Sequence, residues 1–98
     1  MLEKMPLSNQ VVRVTFRLPR RFWADGIAVV GEFADGVRHS YFLRQTHDDG
    51  DWHMSLELAA GRCYRFRYLV DGQVWINDNH ADGYEPNPLG GMDSIVCT

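Results

Sequence analysis

The sequence predicts an all-β domain, an antiparallel β-sandwich of immunoglobulin-like type, and three observations carry that prediction. Short runs alternate apolar and polar residues with a period of two. Asp-Gly pairs recur between them, at Asp25-Gly26, Asp35-Gly36 and Asp71-Gly72. No window of eleven or more residues carries a helical stripe. A chain of 98 residues has room for one such domain and no second core.

Residues 1–10, MLEKMPLSNQ, read as a lead-in to a single domain over residues 11–98. They lack a basic region followed by an apolar stretch, so they do not read as a signal peptide. VVRVTFRL, residues 11–18, sets Val12, Val14, Phe16 and Leu18 on one face and Arg13, Thr15 and Arg17 on the other, the pattern of a half-buried strand. PRRFWADG is a Pro-led loop ending in a turn, followed by the short apolar strand IAVVGEF, residues 27–33. HSYFLRQ is a weaker strand with Phe42 or Leu43 inward, and HDDGD is a polar turn. WHMSLEL, residues 52–58, points Trp52, Met54, Leu56 and Leu58 inward. AAGR leads into CYRFRYLV, where Tyr64, Phe66, Tyr68 and Val70 share a face opposite Arg65, Arg67 and Leu69. After Asp71-Gly72, QVWIN is the return strand of a tight hairpin, and SIVCT is the last of about seven strands. Residues 77–93, NDNHADGYEPNPLGGMD, form a long connection of the kind that often carries function.

Composition excludes several classes. The chain is 45% apolar and 23% charged, with a net charge of −3 and arginines dispersed among acids. That is a globular balance without the basic footprint of a nucleic-acid binder, and it suits a neutral ligand. No apolar run approaches the ~20 residues of a membrane helix. Cys63 and Cys97 are the only cysteines. With no export signal the expected location is cytoplasmic, which makes both of them thiols.

No metal, cofactor or catalytic centre is expected. Asp78, His80, Asp82 and Gly83 mimic the opening of a calcium loop, but Leu89 stands where the closing bidentate carboxylate belongs. His47, Asp48, Asp49, Asp51 and His53 cluster in a turn that offers no burial to raise a carboxyl pKa. No nucleophile elbow or phosphate loop appears. The aromatics say more. Trp52 opens an alternating strand and belongs to the core. Trp23 follows an Arg-Arg-Phe loop, where a ring can stand half exposed. Trp75 lies on a short return strand near Arg67, and chemistry alone supports a core position and a ligand platform equally.

FRYLVDGQVWINDN resembles the signature of carbohydrate-binding module family 48, the glycogen- and starch-binding module of isoamylases, branching enzymes and the β subunit of AMP-activated protein kinase. The family pattern, aromatic–Lys–aromatic–x–V-D-G followed by Trp and Asp, is met by Phe66, Tyr68, Val70, Asp71, Gly72, Trp75 and Asp78, with Arg67 in place of the lysine, which keeps the charge but changes the donor geometry. VVGEF resembles the family's V-x-G-x-F strand, DGDWHMSLEL its G-x-W-x-x-x-L-x-L, and LGGMDSIVCT its G-x-x-N-S-V-V end. The similarity runs from about Val11 to Thr98.

The resemblance implies an early-set immunoglobulin-like sandwich that binds α-glucan without catalysing a reaction. Its second stacking tryptophan corresponds to Trp75, its lysine to Arg67 and its loop leucine to Leu89. Its small polar position falls on Gly91, its asparagine on Asp93 and its first tryptophan on Gly36. The expected site is therefore Arg67, Trp75, Asn77, Leu89 and Asp93, binding weakly for want of one ring, with Trp23, Tyr41 or Tyr84 as possible substitutes for it. The alternative expectation is a degenerate module that packs against a partner protein or a second copy.

Overall fold

Val11–Leu18 forms β2, and its alternation is realised: Val12, Val14, Phe16 and Leu18 are buried while Arg13 is exposed. The computed structural model describes residues 1–20, 24–34 and 36–98; among these, ten strands and no helix occur. Trp23 and Asp35, and with Asp35 part of the expected turn at Asp35-Gly36, lie outside the described residues. The other strands are β1 (Leu2–Pro6), β3 (Ile27–Glu32), β4 (Arg38–Phe42), β5 (Arg44–Gln45), β6 (Trp52–Ala59), β7 (Cys63–Val70), β8 (Val74–Ile76), β9 (Gly83–Pro86) and β10 (Met92–Cys97).

Two antiparallel sheets pack face to face. One has the order β1-β2-β6-β5, and the other β4-β3-β7-β10-β9, with β8 paired to β7. The inward faces supply the core, which holds Phe16, Trp52 and Leu58 of the first sheet and Ile27, Val29, Tyr64, Phe66 and Tyr68 of the second. Phe16 meets the edge of Phe66 across the interface, ring centroids 5.0 Å apart. Met54, Leu56 and Val70, expected inward, are only half-buried and pack on the margin of the core.

Several expectations are refined, and that of the cysteines is corrected. The lead-in is a strand: Leu2–Pro6 pairs with β2 along Leu2↔Phe16 to Pro6↔Val12. It has little apolar alternation of its own, and is held by that ladder, by Leu2 against the core and by ion pairs from Glu3 to Arg17 and from Lys4 to Asp82. The long connection over 77–93 contains β9, which pairs with β10. Between Phe42 and Leu43, Leu43 is the buried one. The chain crosses from one sheet to the other at this residue: the Leu43 N–H donates to Ile27 O at 2.8 Å, and the next two residues pair with β6. Finally, Cys63 and Cys97 are not thiols but a disulfide. They are direct cross-strand partners in the β7–β10 ladder, so the fold itself brings their sulfurs together.

Two turn features place the later strands. Asp71 and Gly72 both have positive φ, 53° and 68°, as the tight hairpin between β7 and β8 requires. The Asp71 carboxylate also accepts the N–H groups of Asp25 and Gly26 at 2.7 and 3.0 Å, which ties the hairpin to the start of β3. β7 shares one edge between two strands, β10 along Cys63–Phe66 and β8 along Tyr68–Val70.

At that junction Asp78 is 1% exposed. It accepts from the Tyr68 hydroxyl at 2.7 Å and pairs with the Met1 ammonium at 2.6 Å, while its N–H donates to Ser94 Oγ at 3.0 Å. Burial, reinforced by the Asp78 charge, pushes the Tyr68 phenol above its ordinary range, so it stays protonated and donates.

Candidate functional site

The outward face of the six-stranded sheet carries the candidate site, and strand register fixes its members. Tyr68 points into the core, so Arg65, Arg67 and Leu69 point outward from β7. Trp75 pairs with Leu69 and shares that face, where it is 41% exposed on an edge strand. Of the two positions open to Trp75, core and surface, it takes the surface. Arg67 is its diagonal neighbour, with the guanidinium carbon 4.5 Å from the indole centroid in cation–π contact.

Asp93 organises the arginines. Its Oδ1 lies 3.2 Å from Arg67 Nε and also accepts from Asn87 Nδ2 at 3.2 Å. Its Oδ2 lies 3.3 Å from Arg65 Nη1, and Arg65 in turn pairs with Glu85. The ion pair with Asp93 thereby holds the Arg67 guanidinium over the Trp75 ring. Val30, Gly31, Glu32 and Arg38 complete a small concavity around these groups. Its charged lining combines Arg38, Arg65 and Arg67 with Glu32 and Asp93, so it presents hydrogen-bonding groups of both signs.

Leu89 occupies the tip of a turn over residues 87–91 and is 86% exposed. The turn is held by Asn87, whose N–H donates to Gly91 O at 2.8 Å and whose Oδ1 accepts from the N–H groups of Leu89 and Gly91. A Cβ added at Gly91 would lie 3.9 Å from Arg67 Nη1, so this turn borders the site.

Asn77 is placed elsewhere. Its amide donates to Met92 O at 3.0 Å and its carbonyl oxygen accepts from Ser94 Oγ at 2.8 Å, so it brackets the junction of β8 with β10. It also lines a separate cleft of about 610 Å³, together with Leu18, Pro19, Ile76, Asn79 and His80. The structure therefore gathers Arg67, Trp75 and Asp93, sets Leu89 on the adjoining turn, and leaves Asn77 out of the group.

Gly36, where the resemblance led to the expectation of a missing stacking ring, is an exposed turn glycine with φ +74°. Nothing lies within 4 Å of a Cβ built there, so the backbone conformation rather than lack of space favours glycine. Two of the candidate substitute rings are committed elsewhere. Tyr41 packs against the core, 6.2 Å from the Phe33 ring, and Tyr84 donates its hydroxyl to Asp78 O. Phe42 is the aromatic that the sequence did not single out for this face. It is 74% exposed and sits outward on β4, next to the inward Tyr41. Its strand alternation was the available signal, but the apolar pair Phe42-Leu43 obscured it.

The Thr46 hydroxyl, helped by the Asp51 N–H, holds the Asp49 carboxyl below its usual range, so it stays ionised at neutral pH. Among the described residues no group of three His, Cys, Asp or Glu side chains is placed to hold a metal ion. No described helix is long and apolar enough to cross a membrane. A scan against protein-family models finds no match, and no curated protein matches the chain.

Proposed function

We propose that the chain is a noncatalytic α-glucan-binding module built on an immunoglobulin-like sandwich of early-set type. One observation carries this reading: Trp75 stands half exposed on a sheet face, with Arg67 and Asp93 fixed beside it. An indole offers a flat apolar surface to the C–H face of a glucose ring, and the guanidinium and carboxylate offer partners to its hydroxyls. Leu89 adds an apolar contact from the neighbouring turn, whereas Asn77 acts by holding β8 against β10. The near balance of charge around the site supports a neutral ligand.

A single strong stack with partly engaged hydrogen-bonding groups gives weak affinity, a Kd of about 1 mM, equivalent to roughly −4 kcal/mol. An NMR titration with maltoheptaose tests this. The Trp75 indole N–H signal is expected to shift on addition of sugar, and Trp75→Ala to abolish binding without unfolding the domain, at a cost of about 1 kcal/mol for the lost cation–π contact. A spectrum unmoved around Trp75 at millimolar sugar would sink the reading.

The exposure of Phe42 and Trp75 on one sheet face supports a second reading, a protein-interaction or self-association module. A monomer by light scattering that binds sugar decides against it. The Cys63–Cys97 disulfide favours an oxidising compartment over the cytoplasmic placement expected from the sequence. Thiol titration of protein taken from its native source distinguishes the two.

A further inference from the structure

Phe42 is a second large ring on the sheet face that carries Trp75, and the strand register aligns the two. Phe42 pairs with Ala28, Ala28 with Leu69, and Leu69 with Trp75. These four side chains form one row across β4, β3, β7 and β8. Three strand spacings put the end rings about 14 Å apart. Between them lie Ala28, which is buried, and Leu69, which is half-buried and offers the apolar surface of the row. The adjacent row, Ser40–Val30–Arg67, places a hydroxyl beside the Phe42 end and a guanidinium beside the Trp75 end. Arg67 is neutralised by Asp93, so the strip has rings at its ends, the apolar surface of Leu69 between them and a polar flank of little net charge.

We infer that Phe42 is the second stacking platform and that this row is an extended subsite for one α-glucan chain lying across the strands. The inference rests on the glucan reading of Trp75 and adds to it a second contact residue, a direction and a minimum ligand length. A neutral chain of linked rings with apolar faces matches two separated aromatic platforms. A disaccharide on Trp75 falls short of Phe42, whereas maltoheptaose covers both.

Titrations of the wild type, Phe42→Ala and Trp75→Ala with maltose and with maltoheptaose test the assignment. Phe42→Ala is expected to weaken maltoheptaose binding about tenfold, the effect of losing one stacked ring, and to leave maltose binding unchanged. Phe42→Trp is expected to tighten maltoheptaose binding, and Trp75→Ala to remove both sugars. Phe42 is a surface residue, so these variants fold. If Phe42→Ala binds maltoheptaose like the wild type while Trp75→Ala does not bind, the Phe42 assignment is wrong and the Trp75 reading stands. If the wild type binds neither sugar, both fail. A wild-type dimer that Phe42→Ala dissociates and that takes no sugar assigns the face to a second copy and overturns the inference.

Discussion

Gly31 shows how a single residue of the V-x-G-x-F strand carries structural meaning. A Cβ there would stand 2.5 Å from the Arg65 carbonyl oxygen and 2.7 Å from the Phe33 ring, because that ring folds back over the glycine. Gly31→Ala is therefore expected to cost roughly 1–3 kcal/mol, as overpacking does, and urea denaturation measures it. An unchanged midpoint would show that Phe33 and β7 yield without strain. Asp71 and Asp78 have comparable structural roles: one fastens the hairpin to the start of β3, and the other satisfies the buried Tyr68 hydroxyl. The V-D-G-x-x-W-x-x-D stretch thus divides by residue. Its two acids serve the fold, while Trp75 lies on the outward sheet face beside Arg67.

At the level of elements, the disulfide makes the sharpest prediction. Cys63 and Cys97 are separated by 34 residues in sequence. Closing a loop of that size stabilises by about 3–4 kcal/mol in the chain-entropy account, so reduction should lower the denaturation midpoint correspondingly. Urea curves with and without dithiothreitol measure it, and coincident curves would refute it. This link was invisible in the sequence because Cys97↔Cys63 becomes a neighbouring pair only once the β7–β10 register is known.

The same reasoning separates the strands that could be read from those that could not. β2 and β7 announce themselves because each buries one face and wets the other. β3 is buried on both faces and reads as an apolar run. β1 and β9 are edge strands held by a neighbour's ladder and by ion pairs such as Arg65 with Glu85, which leave no apolar period behind. Of the candidate site, the Arg67–Trp75 pair was legible from one hairpin. Phe42 was not, because the crossing between sheets at Leu43 decides which of two adjacent apolar residues turns inward.

Across the whole molecule, the two outward faces differ. The four-stranded sheet shows solvent polar groups such as Thr15 and Ser55, whose hydroxyls lie 2.7 Å apart, and the six-stranded sheet shows the aromatic row. The assembly of both sheets is also tied to pH. Burial alone would raise the Asp82 carboxyl, but the Cys97 N–H and the Lys4 ammonium outweigh it and hold the group below its ordinary 3.8. The folded state therefore binds fewer protons than the unfolded chain between the two pKa values. The stabilisation is full above the unfolded value and is lost as pH falls through the folded one. Thermal melts from roughly pH 5 down to pH 2 should show a falling midpoint, and Asp82→Asn should flatten that limb. An identical acid limb in the variant would remove Asp82 from the account. One architectural detail also couples two elements. β7 gives Cys63–Phe66 to one strand and Tyr68–Val70 to another, with Asn77, Asp78 and Ser94 clasping the join. The β7–β8 hairpin and the turn bearing Leu89 thus meet along one strand edge and are coupled there through the Asn77–Ser94 and Arg67–Asp93 contacts.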